Sequence, residues 1–282
     1  MMNQVTLKQA IKHGVIQLTN SESAKLDSEL LLSWAIHQSR EYLYSHPEYV
    51  LNTSEFSDYN SLLDKRVHGF PIAYLTGTKE FWSRTFNVNR HTLVPRPETE
   101  CLVETVLNVT RAERADRILD LGTGSGAIAV VLAMERPSSR ITATDICPYA
   151  LSMASENARA HDAGNIKFIQ SDWFDELTHH QFDVIASNPP YVESNSTEFT
   201  YGDIRHEPRL ALDGGNRGMD AFIRIIPQSV RHLNPGGTLI LEHGYLKGEE
   251  VRNIMAEHGF KEVQSFTDYV GNERVSIGKV AG

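Results

Sequence analysis

The chain has 282 residues, of which 40% are hydrophobic and 22% charged, and its formal net charge is -9. A chain of this length and composition can bury one large core and a smaller second one, which predicts two domains. The acidic balance counts against a broad phosphate-binding surface, and therefore against a protein that binds DNA or RNA directly.

The cysteine content and the hydropathy of the sequence argue against metal-binding, membrane-spanning and secreted proteins. Cys101 and Cys147 are the only cysteines, and no paired metal-ligand spacing surrounds them, so we expect reduced thiols and no metal site. No apolar run approaches the length of a membrane span, and the N-terminus lacks the basic and apolar blocks of a secretion signal. We therefore expect a cytoplasmic protein without membrane contact.

The start of the chain has the periodicity of a helical module. Leu7, Ile11 and Leu18 mark one face of an amphipathic helix, and apolar positions within residues 31–36 mark another. In residues 79–88, aromatic side chains flank a short turn, which predicts a hairpin after the helices.

A glycine-rich turn lies between a predicted strand and a predicted helix at residues 120–126. Glycines at alternate positions let a ligand approach the backbone, and the N-terminus of the next helix favours an anionic group such as a carboxylate or a phosphate. Because the loop also satisfies the dinucleotide pattern G-x-G-x-x-G/A, it does not by itself choose between cofactors. The cofactor-binding candidates in it are Gly122, Thr123, Gly124, Ser125 and Gly126.

The next two predicted strands lead into acidic residues. The strand 140–145 ends at Asp145, where a carboxylate can accept from both hydroxyls of a ribose. The strand 166–170 is followed by Asp172 and Trp173, which can accept from an adenine amine and cover its ring. Each acid can instead be a helix cap, and the tryptophan can be core. Three successive strand ends with such residues nevertheless predict one ligand crevice, since ligands collect at the carboxyl ends of parallel strands.

A proline-rich tetrapeptide follows the predicted strand 184–187 and consists of Asn188, Pro189, Pro190 and Tyr191. The prolines fix their own torsions, bring no backbone donor and keep Asn188 out of the helical region. The Asn188 side-chain oxygen and the Pro189 carbonyl can therefore accept the two hydrogens of one planar NH2 group, with Tyr191 stacked on its face. The alternative is an ordinary exit from a strand into a loop.

The rest of the chain alternates between helical and extended patterns. We predict a helix at 219–233, a turn at 234–237, a strand at 238–241, a helix near 247–258 and strands near 263–266 and 274–277.

Taken together, these motifs resemble the S-adenosylmethionine-dependent methyltransferases that act on planar nitrogen. More narrowly, the chain is similar to the HemK-type protein-glutamine methyltransferases that modify peptide chain release factors. Further matching segments lie at 71–77, 93–100 and 207–215, so the resemblance spans nearly the whole chain.

The resemblance implies an α/β fold, with a seven-stranded, mostly parallel Rossmann-like sheet whose last strand is antiparallel. It implies an N-terminal helical substrate-docking domain at 1–75, a linking hairpin at 76–95 and an S-adenosylmethionine-dependent methyltransferase domain at 96–282. The residues themselves leave open whether the helical module docks a partner or only caps the catalytic domain.

The resemblance also implies roles for the site residues. The loop 122–126 faces the amino-acid end of S-adenosylmethionine, Asp145 its ribose, and Asp172 with Trp173 its adenine. The tetrapeptide 188–191 holds the substrate glutamine of a release factor. Asn188 and the Pro189 carbonyl are the expected catalytic groups, and Asn188 also lies beside the cofactor.

Other functions compete with this expectation. A ribosomal protein glutamine can replace the release factor as substrate, and nucleic-acid adenine methyltransferases can carry the same tetrapeptide. A nicotinamide-dependent oxidoreductase would use the glycine loop and Asp145, but the tetrapeptide 188–191 would have no clear role in it. A non-catalytic binding module would rely on the N-terminal helices.

Overall fold

The structure is a computed structural model that describes residues 5–282, so the first four residues of the predicted domain 1–75 lie outside the described part. The chain divides into two compact units. One contains the residues up to Thr78 together with Glu198–His206, and the other contains Lys79–Thr197 together with Glu207–Gly282. The first unit therefore includes a short segment from much later in the chain.

Helices build the first unit, as the sequence predicts. Their apolar faces enclose a core of mainly leucine side chains around the fully buried Tyr59, whose hydroxyl donates to Ala10 O at 3.1 Å and bonds Ser28 Oγ at 2.7 Å. The helices are α1 (Leu7–Gln17), α2 (Ala24–Ala35), α3 (Arg40–Ser45), α4 (Thr53–Val67) and α5 (Ile72–Thr76).

Arg66 of α4 connects the late segment Glu198–His206 to these helices. Its guanidinium pairs with Asp27 through Nε at 2.8 Å and with Asp203 through Nη1. The His206 ring stacks on Phe70 with the ring centroids 4.1 Å apart. These contacts explain why a segment so remote in sequence belongs to the first unit.

The second unit begins within the predicted hairpin, which is formed by β1 (Thr78–Phe81) and β2 (Arg84–Asn87). Phe81 and Phe86 are buried and pack edge to face, with centroids 6.1 Å apart. The turn residues Trp82 and Ser83 both have positive φ angles, as the tight turns of hairpins require.

A seven-stranded sheet forms the centre of the second unit, with the order β5-β4-β3-β6-β7-β9-β8. The neighbours from β5 to β7 pair in parallel, whereas β9 runs antiparallel to both β7 and β8. This confirms the predicted sheet. The strands are β3 (Arg117–Leu121), β4 (Arg140–Asp145), β5 (Ile166–Gln170), β6 (Phe182–Ser187), β7 (Leu233–Glu242), β8 (Lys261–Thr267) and β9 (Glu273–Lys279).

Helices cover both faces of this sheet, each over its own hydrophobic core. Every residue from Ala127 to Ala133 in α7 is buried, since this helix is apolar on all sides. One core includes side chains of α6, α7 and α8, and the other includes side chains of α9 and α10. These helices are α6 (Glu100–Val109), α7 (Ala127–Glu135), α8 (Pro148–Ala160), α9 (Asp220–His232) and α10 (Gly248–Glu257).

The predicted turn at 234–237 is wrong in one respect, because these residues lie inside β7 rather than before a strand. The pairing of β7 with β6 jumps from Leu233 to Thr238. Pro235 has no N–H to donate, and Gly236 has a φ of +75°. The turn residues therefore interrupt the ladder without ending the strand.

The chain order reverses at β3, which lies between β4 and β6. Leu121 of β3 is in register with Thr144 of β4 and with Ser187 of β6. The residues that follow these three positions therefore leave the sheet side by side. Such a reversal opens a crevice at the carboxyl ends of the strands.

Among residues 5–282, no helix has both the length and the apolar character needed to cross a membrane.

The close contact between α1 and its neighbours generates a stability prediction. A Cβ on Gly14 would lie 2.1 Å from the Tyr59 hydroxyl and 2.4 Å from Ser28 Oγ. In a helix interior, alanine is normally more stabilising than glycine by about 1 kcal/mol. We expect Gly14→Ala instead to lower the free energy of unfolding by about 1–3 kcal/mol through overpacking, as measured by urea denaturation.

Gly164→Ala is the matched control, since a Cβ there meets nothing within 4 Å. We expect it to change stability by less than about 0.5 kcal/mol. A Gly14→Ala protein as stable as the wild type would contradict the packing described for α1.

Candidate active site

Two glycines shape the loop that follows β3. Gly124 has a φ of +56°, which side chains rarely permit, and its N–H donates to Asp145 Oδ2 at 2.9 Å. Gly126 has a φ of +82°, and a Cβ there would lie 2.9 Å from the Cα of Ala154 in α8. The loop therefore passes close to two neighbouring elements just before α7 begins.

Asp145 ends β4 with both carboxylate oxygens held by backbone N–H groups. Oδ2 accepts from Gly124, and Oδ1 accepts from Cys147 at 2.9 Å. Burial raises the pKa of Asp145, and hydrogen bonds from the backbone oppose this shift. Since a carboxylate offers about four acceptor positions, Asp145 retains an open acceptor position for the ribose predicted to bind it.

Asp172 and Trp173 follow β5 at the same edge of the sheet. Asp172 Oδ2 accepts from Arg224 Nη2 of α9 at 3.1 Å. Trp173 has a φ of +52°, a strained backbone conformation for a bulky residue. Its ring lies within contact distance of the start of the glycine loop, because a Cβ on Gly122 would be 3.7 Å from Trp173 Cζ3.

The tetrapeptide follows β6 directly and has two polar anchors. Asn188 Nδ2 donates to Thr99 Oγ1 at 3.1 Å. The Tyr191 hydroxyl donates to Glu242 Oε1 at 3.4 Å, and burial raises the pKa of Tyr191, which keeps the phenol neutral. Thr99 and Glu242 are both buried.

A cavity of about 450 Å³ opens where these elements meet, all of them within the second unit. Seven of the predicted site residues line it: Gly122, Gly124, Asp145, Asp172, Trp173, Asn188 and Pro190. The other predicted residues, Thr123, Ser125, Gly126, Pro189 and Tyr191, are outside its lining. The structure thus brings most of the predicted site to one place.

Buried polar groups are found among the residues outside the lining. Thr123 and Ser125 are buried, and the Thr123 hydroxyl donates to Asp120 Oδ2 at 2.6 Å. Burial raises the pKa of Asp120 to about 7, against the effect of the Thr123 hydrogen bond. Asp120 Oδ1 is buried without a hydrogen-bond partner among the described residues.

Sequence reasoning missed several residues at this site. Arg224 and His91 line the cavity but belong to no motif. Glu207 holds the segment before α6, because it accepts from Val94 N at 3.0 Å and pairs with Arg96. The only sequence signal for Glu207 was its place in a matching family segment.

The cavity suits S-adenosylmethionine. Its volume is within the range of about 300–1,000 Å³ that is typical of ligand sites. It combines an exposed glycine backbone, the acceptors Asp145 and Asp172, and the aromatic side chain of Trp173. Among residues 5–282, no cluster of three or more histidine, cysteine or acidic side chains could hold a metal ion.

Comparison with known proteins places the chain in a family. The PrmC N-terminal domain family matches residues 9–77, and the methyltransferase small domain family matches residues 97–206. A release factor glutamine methyltransferase from Salmonella typhimurium is 43% identical over 95% of this chain and 97% of its own length. One from Shewanella oneidensis is 38% identical over 100% of this chain and 99% of its own.

The chain belongs to the release factor glutamine methyltransferase family.

Membership of this family confirms the resemblance seen in the sequence, the enzyme class and S-adenosylmethionine as the cofactor. A solved methyltransferase from Pyrococcus furiosus is similar in fold, with a TM-score of 0.55, 19% identity, and coverage of 80% of this chain and 100% of that one.

Asp145→Asn tests the cofactor site. The substitution removes the negative charge and turns one acceptor into a donor, while it preserves the shape of the side chain. We expect the affinity for S-adenosylmethionine to fall roughly tenfold to a hundredfold, as for the loss of a charged hydrogen-bond partner. Isothermal titration calorimetry measures it.

Asp162→Asn is the matched control, because Asp162 is exposed and its φ of +55° suits asparagine. Its cofactor affinity should equal that of the wild type. Unchanged affinity in the Asp145→Asn protein would remove Asp145 from the cofactor site.

Proposed function

We propose that this protein transfers a methyl group from S-adenosylmethionine to the side-chain amide nitrogen of a glutamine in a peptide chain release factor. The observation that carries this proposal is the position of Asn188. It lines the same cavity as Gly122, Asp145 and Trp173, and its Nδ2 is already bonded to Thr99. Its Oδ1 is thus the end of the amide that remains to accept from a substrate.

The chemistry explains why hydrogen-bond acceptors suit this site better than a strong base. A carboxamide nitrogen is a poor nucleophile because its lone pair is delocalised into the carbonyl. The cofactor supplies an activated methyl group. The protein must align the nitrogen with that group and stabilise the positive charge that develops on nitrogen. Asn188 Oδ1 and the Pro189 carbonyl accept its two N–H bonds, and Tyr191 stacks on the flat amide.

The relatives' names support the release factor as substrate over a ribosomal protein. The net charge of -9 argues against a nucleic-acid substrate. We further propose that the protein acts in the cytoplasm and contacts neither membranes nor nucleic acid. Methyl transfer from labelled S-adenosylmethionine to purified release factors and, in parallel, to purified ribosomal proteins, with mapping of the modified side chain, tests the substrate. Label on a ribosomal protein alone would overturn it.

Asn188→Ala tests the catalytic role. Loss of one preorganised polar partner of the developing charge should lower kcat by roughly 10², while the fold stays intact. The measurement is single-turnover methyl transfer at saturating cofactor and substrate.

Asn253→Ala, an exposed position on α10, is the control and should leave kcat unchanged. Near-normal turnover of the Asn188→Ala protein with intact cofactor binding would contradict the proposed site.

We also propose that the helical domain at 1–75 docks the protein substrate. The exposed apolar side chain of Ile16 on α1, with 64% of its surface accessible, supports this role.

Ile16→Glu provides that test. With a full release factor as substrate, we expect KM to rise about tenfold, as for the loss of an interface contact of more than 1 kcal/mol. With a short peptide that contains only the target glutamine, we expect no change. An equal effect on both substrates, or on neither, would contradict docking through this part of α1.

A further inference from the structure

The segment 207–214, which we call the strap, forms part of the cavity wall and lies entirely within the second unit. Leu93, in the segment before α6, forms a further part of the wall. The methyl-transfer chemistry described above uses neither segment. The strap residues that line the cavity are Pro208, Leu210, Ala211 and Asp213.

The far end of the strap is bonded to the residue that follows the tetrapeptide. Val192 N donates to Leu212 O at 2.9 Å, and Gly214 N donates to Val192 O at 2.8 Å. A Cβ on Gly214 would lie 2.6 Å from Pro190 O, so the two backbones are in close contact. This end of the strap therefore has its own backbone attachment beside the tetrapeptide.

Glu207 attaches the near end of the strap to the segment before α6. Its side chain is fully shielded from solvent, Oε2 accepts from Val94 N at 3.0 Å, and Oε1 pairs with Arg96 Nη2. Burial of a carboxylate is unfavourable unless donors compensate it, and here each oxygen has a donor. Because Val94 follows Leu93 and Glu207 precedes Pro208, this carboxylate joins two parts of the cavity wall.

We propose that Glu207 is a positioning residue that holds these two parts of the wall together and thereby slows the release of S-adenosylmethionine. The inference goes beyond the proposed function, because it concerns the cofactor and not the methylated protein, and it rests on the assignment of this cavity to the cofactor. Glu207 is outside the cavity lining, so it acts through its neighbours. Since the far end of the strap has separate bonds, Glu207 affects cofactor retention and not the transfer step.

Glu207→Gln tests this role with little change in shape. Both partners of the carboxylate are donors, Val94 through its backbone N–H and Arg96 through its guanidinium. A glutamine has only one acceptor oxygen, so its NH2 group must face one of the two donors. One of the two bonds is therefore lost.

We expect the rate constant for release of S-adenosylmethionine from the Glu207→Gln protein to rise roughly tenfold, as for the loss of one hydrogen bond to a charged group. Stopped-flow fluorescence without any protein substrate measures it, because Trp173 lines the cavity. In methylation assays, KM for the cofactor should rise to a similar extent, while kcat at saturating cofactor stays within about threefold of the wild type.

Arg96→Met removes the same ion pair from the other partner and should accelerate release to a similar extent. Glu273→Gln is the matched control, since Glu273 also pairs with an arginine, Arg252, at 2.8 Å but lies on β9 outside the cavity lining. Its release rate and its KM for the cofactor should equal those of the wild type.

Release at the wild-type rate from both the Glu207→Gln and the Arg96→Met proteins would overturn the proposal. A lower kcat of the Glu207→Gln protein with unchanged release would also contradict it, because Glu207 would then act on the transfer step. If the Asp145→Asn protein also keeps its cofactor affinity, the assignment of the cavity fails; otherwise only the role of Glu207 does. The identity of the methylated protein does not affect the release measurement.

Discussion

The parallel register of β4, β3 and β6 is the constraint on which the rest of the site depends. Leu121 pairs with Thr144 on one side and with Ser187 on the other. The N–H groups of Gly122 and Thr123 both donate to Thr144 O, and the Ser187 hydroxyl donates to Leu121 O at 2.7 Å. Because of this alignment, the glycine loop, Asp145 and Asn188 leave the sheet together. A slip by one residue would turn the strand side chains to opposite faces.

Polar groups buried behind this edge are the second feature of the site. Asp120 and Glu242 are fully buried acids, and burial raises the pKa of each to about 7. Trp173 adds a strained backbone. Backbone strain and buried acids persist where the surrounding structure holds functional groups in place. Acids with shifted pKa values cluster at functional sites. The cores on both sides of the sheet provide the rigidity that this arrangement needs.

Many of the strands and helices, and most of the residues that line the cavity, could be predicted from the sequence, because local patterns determine them. Periodicity predicted individual strands and several of the helices, the family resemblance implied their arrangement in one sheet, and glycine, acid and proline residues at the strand ends marked the crevice. The bond between Asn188 and Thr99 joins residues 89 positions apart, and no local pattern indicates it. The same holds for Arg66 and Asp203, which attach the segment 198–206 to the first unit. At 234–237, proline and glycine predicted a turn. The residues on either side, Leu233 and Thr238, both pair with β6, so the segment stays within β7.

The most direct test of the account is a crystal structure of the protein with S-adenosylhomocysteine and a glutamine peptide. The account predicts the glutamine amide nitrogen about 2.7–3.2 Å from both Asn188 Oδ1 and the Pro189 carbonyl oxygen, the normal range for such hydrogen bonds. Asn188 Nδ2 should still face Thr99. A glutamine bound away from this pair, or an Asn188 amide with Nδ2 toward the substrate, would contradict it.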